Sequence, residues 1–168
     1  MTFYSPKQWN CKLEHPFSCL ICSCRGSGKS EFLVSWLVKR GCGIDTFSPP
    51  KGRICIFTNL DNKNFYARCV APDFIHCFSD EKIENLYIKF QKTVGKIIEN
   101  GKQTPRVLFI FDDRLNAKTR YSKAVESLYV RGRHLNASVV YITQSLTGLS
   151  VNVRRNCDYF IYLKSYNL

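Results

Sequence analysis

FSCLICSCRGSGKSEFLVSWLV occupies residues 17–38 and carries the clearest fold signal in the chain. Its first six residues form an apolar run typical of a buried strand, and residues 30–38 carry apolar side chains at helical spacing. A short glycine-containing loop separates the two segments. The sequence therefore predicts a strand, a loop and a helix in direct succession.

The loop between this strand and helix reads SCRGSGKS and matches the phosphate-loop pattern GxxxxGK[ST], except that Ser23 replaces the first glycine. Glycines let the backbone wrap a phosphate with its amides pointing inward, and the helix N-terminus favours anions. Lys29 would contact the β- and γ-phosphates, and the Ser30 hydroxyl would bind Mg²⁺. The alternative is a glycine-rich turn followed by a helical lysine, but the strand–loop–helix context favours a phosphate loop. The predicted nucleotide-binding residues are Ser23, Cys24, Arg25, Gly26, Ser27, Gly28, Lys29, Ser30 and Glu31.

The rest of the chain alternates apolar runs with amphipathic segments, as α/β proteins do. We predict further strands at residues 53–58, 106–111, 138–143 and 158–163, a short candidate strand at 74–78, and helices at 81–99 and 121–133. A mostly parallel sheet of about five strands, flanked by helices, follows from this pattern. The length of 168 residues fits one domain, with a core at 17–163 after an N-terminal extension at 1–16.

Two aspartates follow the apolar run at residues 106–111. Ligands bind at the carboxyl ends of strands in open α/β sheets, and this is where a Walker B motif is expected. We predict that Asp112 holds Mg²⁺ through water and that Asp113 polarises the attacking water as general base. The alternative is a turn or helix cap formed by the two aspartates.

Several polar residues near the last two strands are candidates for a catalytic role. Gln144 ends the fourth strand and is a candidate sensor of the γ-phosphate, although a Thr-Gln pair at a strand end is also ordinary loop chemistry. Arginines at helix ends could supply an arginine finger to a neighbouring subunit, or could simply interact with helix dipoles. These arginines are Arg131, Arg133, Arg154 and Arg155.

Composition indicates a polyanionic partner and a reducing environment. The formal net charge is +12, from 25 Lys and Arg against 13 Asp and Glu, which favours nucleic acid over a merely solvated basic surface. Nine cysteines are scattered through apolar runs, as expected of reduced thiols in an intracellular protein. We also find no apolar run of the roughly 20 residues that span a bilayer, and no signal peptide.

Taken together, these motifs resemble those of the FtsK/HerA superfamily of DNA-pumping ATPases, and within it the genome-packaging ATPases of poxviruses, other large DNA viruses and virophages. The resemblance covers residues 17–163. It depends on SCRGSGKS at 23–30, FIFDD at 109–113, RGRHLNASVVYITQS at 131–145 and VRRNCDYFIYL at 153–163.

The resemblance implies a three-layer RecA/ASCE-like core in which the Thr-Gln strand separates the Walker B strand from the phosphate-loop strand. It further implies an ATP-hydrolysing motor that packages double-stranded DNA as a homo-oligomeric ring, a pentamer or hexamer, with Arg131 or Arg133 near the subunit interface and Gln144 reporting nucleotide state. Capsid proteins would be further partners, in the viral factory of the host cytoplasm and in the virion. Two departures are Ser23 and Asp113, because many relatives carry glycine and glutamate there.

Two other classes of function remain open from the sequence. One is a P-loop phosphotransferase acting on a nucleoside or nucleotide, which the small size suggests. The other is a nucleotide-gated DNA-binding scaffold without turnover. A GTPase is disfavoured because residues 62–65, NKNF, lack the aspartate that reads guanine. With no winged-helix or nuclease extension, the chain is expected to be a minimal motor or to be truncated soon after Leu168.

Overall fold

The computed structural model describes residues 13–24, 26–39, 47, 52–112 and 122–163. These residues form six strands: β1 at Ser18–Cys22, β2 at Gly52–Thr58, β3 at Ile75–Cys77, β4 at Arg106–Asp112, β5 at Ala137–Thr143 and β6 at Tyr159–Tyr162. The α-helices are α1 at Lys29–Lys39, α2 at Lys63–Tyr66, α3 at Asp80–Glu99, α4 at Lys123–Arg131 and α5 at Val151–Arg155.

All six strands belong to one parallel sheet with the order β3-β2-β4-β5-β1-β6. The predicted α/β class is confirmed, and the short candidate strand becomes the sixth, at one edge. β5, the Thr-Gln strand, lies between β1 and β4, as the resemblance implied. Because every strand runs the same way, the sheet has an amino edge, where strands begin, and a carboxyl edge, where they end.

Apolar side chains from both faces of the sheet build two cores. On β4, Leu108 and Ile110 point to one face, and Val107, Phe109 and Phe111 point to the other. The first face is covered by α1 and α2, and the second by α3 and α4. Strands that are buried on both faces require continuous apolar runs, and the apolar run at residues 106–111 predicts such a strand.

The long helix α3 begins one residue before its predicted start, because the Ser79 side chain caps it by accepting a hydrogen bond from the Lys82 amide. Ile83, Tyr87 and Val94 are its buried residues. Ile98, in the last turn of the helix, is 57% exposed.

Three helices differ from the prediction: one is shorter than predicted, and two were not predicted. The helix predicted at 121–133 is α4, which ends at Arg131 and passes into a 3₁₀ turn at Gly132–Leu135; residue 121 lies outside the described part. α2 and α5 have four and five residues, too few for a helical repeat to show in the sequence.

The segment before β1 packs on the sheet. Leu13 is buried in the first core, and both ring nitrogens of His15 are hydrogen-bonded: Nδ1 lies 2.6 Å from Ser138 Oγ and Nε2 lies 2.9 Å from Asn136 Oδ1. Burial, assisted by the charge of Arg106, lowers the pKa of His15 below its ordinary value, although its hydrogen bonds to Asn136 act in the opposite direction. Residues 1–12 of the predicted extension lie outside the described part.

None of the helices in the described ranges is long and apolar enough to cross a bilayer. The seven cysteines in those ranges are free thiols, in line with the scattered spacing of cysteine in the sequence.

Candidate functional site

The loop between β1 and α1 has the backbone conformation that its glycines predict. Gly26 and Gly28 have φ of 75° and 78°, and a Cβ atom at either position would meet no atom within 4 Å. The loop therefore needs glycine for its backbone angles, since the left-handed region is strained for other residues. Helix α1 starts directly after it, where the Phe32 amide donates to Gly28 O at 2.8 Å.

Ser23, at the position where phosphate loops usually have their first glycine, is held by hydrogen bonds to the ends of two neighbouring strands. The residue is buried, its amide donates to Thr143 O at 3.2 Å, and its hydroxyl donates to Leu163 O. These bonds tie the start of the loop to the ends of β5 and β6. Ser23 thus holds the loop on the carboxyl edge, between two strands.

The loop lysine is folded into the site. Lys29 is buried, and its ammonium donates to Ser23 O at 3.0 Å and Cys24 O at 2.7 Å. An ammonium carries three hydrogens, so these two bonds still leave one N–H. Ser27 Oγ is buried in the same loop and has no hydrogen-bond partner among the described residues.

The first helical hydroxyl lies beside the acidic strand end, as the sequence predicted. Ser30 Oγ is 3.1 Å from Asp112 Oδ2 and 3.4 Å from Asp112 Oδ1. The two residues are 82 positions apart in the chain, and Asp112 is completely buried at the last position of β4. The predicted strand ended one residue earlier, so the carboxylate belongs to the strand itself and is fixed by it.

Tyr66, at the end of α2, completes this cluster and was missed by the sequence reading. Its hydroxyl donates to Asp112 Oδ2 at 2.5 Å, and its side chain is fully buried. Burial raises the pKa of Tyr66 well above its ordinary value; the negative charge of Asp112 and the hydrogen bond to it add to the rise, and the Ser30 hydroxyl opposes it. The phenol therefore stays protonated and acts as a donor.

A second polar group from the same part of the chain ends beside Asp112. Ile56 of β2 pairs with Ile110 of β4, so Thr58 and Asp112, two residues further along each strand, point to the same face. Thr58 is fully buried, and its hydroxyl has no hydrogen-bond partner among the residues that the structure describes. Thr58 thus adds a buried hydroxyl to the face of the sheet on which Asp112 lies, without a hydrogen bond to that carboxylate.

Gln144 lies close to the loop by topology. It follows Thr143, whose carbonyl accepts from the Ser23 amide and whose hydroxyl bonds with the backbone of Ser145. Its half-buried side chain therefore follows directly after the strand next to β1, and its role as a sensor stays a prediction.

The candidate finger arginines lie at the opposite edge of the sheet. Arg131 and Arg133 precede β5, and Arg154 and Arg155 precede β6; all four are exposed. Arg133 is paired with Asp158, which also accepts hydrogen bonds from the amide and hydroxyl of Ser18, the first residue of β1. A strand of seven residues separates this amino edge from the carboxyl edge, a distance of roughly 20 Å.

Four further predicted residues have mixed outcomes. Cys24 is exposed in the loop. Glu31 is directed to Arg68 on the surface, with the charged atoms 3.4 Å apart, and the structure does not bring it to the Asp112 cluster. Arg25 and Asp113 lie outside the described residues, so their predicted roles remain predictions.

The groups at the carboxyl edge suit a nucleoside triphosphate with Mg²⁺. Hydroxyl and carboxylate oxygens are ligands that Mg²⁺ prefers, and Ser30 and Asp112 bring one of each together. The unpartnered Ser27 hydroxyl and the Lys29 ammonium supply donors for phosphate oxygens. The N-terminus of α1 adds backbone amides with the same polarity.

Comparison with known proteins agrees with this geometry. The chain matches the family described as "Poxvirus A32 protein" over residues 7–167. It is 30% identical to Uncharacterized protein L437 of Acanthamoeba polyphaga mimivirus, over 83% of this chain and 49% of L437. It is 27% identical to DNA packaging protein OPG160 of vaccinia virus strain Copenhagen, over 95% of this chain and 58% of that protein. The chain thus spans about half the length of these relatives.

A solved structure supports the fold assignment. The genome packaging NTPase B204 of Sulfolobus turreted icosahedral virus 2, in complex with ATP-gammaS, superposes with a TM-score of 0.56 at 16% identity. The alignment covers 92% of this chain and 79% of B204. At this identity the similarity concerns the fold, and it confirms the three-layer P-loop NTPase architecture.

Proposed function

The chain belongs to the Poxvirus A32 protein family, and from this premise we propose that it is an ATP-hydrolysing motor that translocates double-stranded DNA and packages viral DNA into a capsid. The name of its vaccinia relative, a DNA packaging protein, supports the packaging role. The nucleotide complex of B204 supports ATP as the ligand. Both are properties of those proteins, and their extension to this chain is the proposal.

One observation carries the enzymatic part: Ser30 Oγ lies 3.1 Å from the buried Asp112 carboxylate. A glycine-rich turn followed by a lysine occurs in other settings as well. In a phosphate loop that binds Mg²⁺, the hydroxyl after the lysine should also lie close to an acidic side chain at the end of a neighbouring strand. Burying a carboxylate is expensive unless it is hydrogen-bonded or coordinates a metal. Asp112 meets this requirement through hydrogen bonds with Ser30 and Tyr66, and its contact with Ser30 places a carboxylate and a hydroxyl, two ligands that Mg²⁺ prefers, side by side directly after the loop.

The chain's own residues can then be given roles. The loop amides and Lys29 bind the phosphates, and Ser30 and Asp112 hold the metal ion. Bound Mg²⁺ would neutralise charge that develops on the phosphate oxygens. Asp113, adjacent to Asp112 in the sequence, orients and polarises the attacking water, and Gln144 contacts the γ-phosphate or that water.

The arginine that completes the site is proposed to come from a neighbouring subunit. Arginines at the amino edge are separated from their own loop by roughly the full strand length, about 20 Å, so they are placed to serve another copy. This supports a homo-oligomeric ring. To act, Arg133, whose side chain is 64% exposed, would have to leave Asp158.

Duplex DNA is the proposed polyanionic partner. The net charge of +12 gives a field that attracts phosphate, and exposed lysines follow one another along the solvent side of α3. These lysines are Lys82, Lys89, Lys92 and Lys96. Capsid proteins are the further partners proposed, with the protein acting in the viral factory of the host cytoplasm and in the virion.

The test is steady-state ATP hydrolysis with and without long duplex DNA at about 50 and 200 mM salt, with Lys29→Ala as the inactive control. We expect DNA to stimulate hydrolysis at low salt. The stimulation should disappear at high salt, since a protein with six to ten phosphate contacts loses about 10³- to 10⁵-fold in affinity over that range. A rate indifferent to DNA in an oligomeric, nucleotide-bound preparation would refute the motor. Rapid phosphate transfer to a nucleoside or nucleotide would replace it with a phosphotransferase.

A further inference from the structure

Tyr66 occupies a position that the roles above do not use. It ends the four-residue helix α2, and its hydroxyl lies 2.5 Å from Asp112 Oδ2, the same oxygen that Ser30 Oγ approaches at 3.1 Å. The amides of Cys69 and Val70 donate to Tyr66 O at 3.0 Å each, and Phe65 packs against the ring edge to face with centroids 5.2 Å apart. The position of the Tyr66 side chain is therefore fixed by hydrogen bonds to its own backbone carbonyl and by packing against Phe65.

A hydrogen-bond donor on one oxygen fixes the plane of a carboxylate. Asp112 has two oxygens that share the negative charge, and rotation about the side-chain bond would exchange them. Tyr66 occupies Oδ2 from the α2 side and opposes that rotation. Thr58, the other buried hydroxyl on this side, makes no hydrogen bond with the described residues, so of these two hydroxyls it is Tyr66 that donates to Asp112. Partners behind a metal ligand typically affect metal affinity or activity 10- to 100-fold.

We propose that Tyr66 is a positioning residue: its hydroxyl orients the Asp112 carboxylate toward Ser30, and so sets how tightly the site holds a divalent cation together with a nucleoside triphosphate. This inference rests on the proposed function. It assigns to α2, a segment with no motif in the sequence, a direct influence on the metal site.

The test compares ATP affinity in Mg²⁺ with ATP affinity in EDTA, by calorimetry, for the unmodified chain and for Tyr66→Phe. The ratio of the two affinities measures how strongly the metal assists nucleotide binding. We expect Tyr66→Phe to reduce this ratio about tenfold, with little change in the EDTA affinity, because the loop itself is unchanged. A general loss of structure would lower both affinities together.

The matched control is Tyr129→Phe. Tyr129 is also a buried tyrosine, and its hydroxyl donates to Cys19 O at 2.7 Å in the other core, so its loss removes one buried hydrogen bond away from the site. The Tyr129→Phe chain should have the same ratio of ATP affinity in Mg²⁺ to ATP affinity in EDTA as the unmodified chain. A second control combines Tyr66→Phe with Asp112→Asn in one chain. If Tyr66 acts through Asp112, the double variant should have the same affinity ratio as Asp112→Asn alone.

The outcomes separate the two proposals. If the unmodified chain binds ATP no better in Mg²⁺ than in EDTA, the proposed function fails and the inference fails with it. If Mg²⁺ assists the unmodified chain and Tyr66→Phe keeps the full ratio, the inference alone is wrong. If Tyr66→Phe does not fold, ring-labelled tyrosine spectra of the unmodified chain replace it. Adding Mg²⁺ to the ATP complex should shift the Tyr66 signal, which is identified by its contact with the Phe65 ring, and an unmoved signal refutes the role.

Discussion

Replacing Gly28 by alanine tests whether the phosphate loop works through its backbone. Gly28 has φ of 78°, and an added Cβ would meet no atom within 4 Å, so steric clash does not contribute. The remaining effect is the cost of holding an L-residue in the left-handed region, about 1–2 kcal/mol. If the loop relaxes to another conformation, that cost must be overcome whenever ATP binds, and the Kd should rise about 5- to 30-fold, since 1.4 kcal/mol is tenfold.

The same cost can appear as lost stability instead. If the surrounding strands force the loop to keep its shape, Gly28→Ala will lower the free energy of unfolding by about 1–2 kcal/mol and leave ATP affinity unchanged. Calorimetric ATP titration and chemical denaturation on the same sample measure both losses, and together they should amount to that range. Gly28→Asn should be milder, because asparagine enters the left-handed region more readily.

Gly95→Ala is the matched control. Gly95 lies inside α3, where a Cβ also meets no atom within 4 Å and φ is not in the left-handed region. Alanine there should stabilise the chain by about 0.5–1 kcal/mol and leave ATP binding alone. The reasoning is refuted if Gly28→Ala changes neither quantity, or if Gly95→Ala weakens ATP binding as much as Gly28→Ala does.

Three further predictions follow from the site and the fold. Asp113→Asn should leave ATP bound with unchanged affinity but unhydrolysed in a single-turnover assay, and normal hydrolysis would remove Asp113 from the role of base. Mixing Lys29→Ala chains with Arg133→Ala chains should restore the ATPase activity that each variant lacks alone, because the intact loop of one chain then meets the intact arginine of its neighbour. The same mixture can be made with an Arg131→Ala or Arg155→Ala chain in place of Arg133→Ala. If none of the three mixtures recovers activity, an arginine supplied in trans is contradicted. Burial lowers the pKa of His15 from 6.5, so the folded chain binds fewer protons than the unfolded chain and the free energy of unfolding should fall as the pH drops below about 6.5. Thermal unfolding at pH 5.5 and 7.5 measures this, and a His15→Gln chain with an equally steep pH dependence would show that the loss comes from elsewhere.

The sequence predicted the strands that carry the site, since each is a continuous apolar run with a polar residue at its end. β4 and β5 are buried on both faces, and strands buried in this way have continuous runs of apolar residues in the sequence. The contact between Ser30 and Asp112 was also predictable, because parallel strands bring their carboxyl ends to one edge. The single difference at β4 is that Asp112 belongs to the strand.

Tyr66 could not be predicted, for a physical reason. Its helix has four residues, and β3 after it has three, so neither shows a period. The position of the phenol depends on the backbone turn between β2 and β3, and no local pattern distinguishes Tyr66 from Tyr87, another buried tyrosine. Only the assembled sheet shows that one of these hydroxyls reaches a carboxylate.

The division of residues between the two edges of the sheet bears on the proposed motor, because nucleotide binding and the completion of hydrolysis would then depend on residues of different copies. Lys29, Ser30 and Asp112 are fixed together at the carboxyl edge by β1, α1 and β4 within a single chain. The exposed arginines lie about one strand length away, at the amino edge. If one of them completes the site of an adjacent copy, hydrolysis becomes sensitive to how two copies are oriented. DNA held between copies would alter that orientation, which is how a binding event on the surface can set the rate of a buried site.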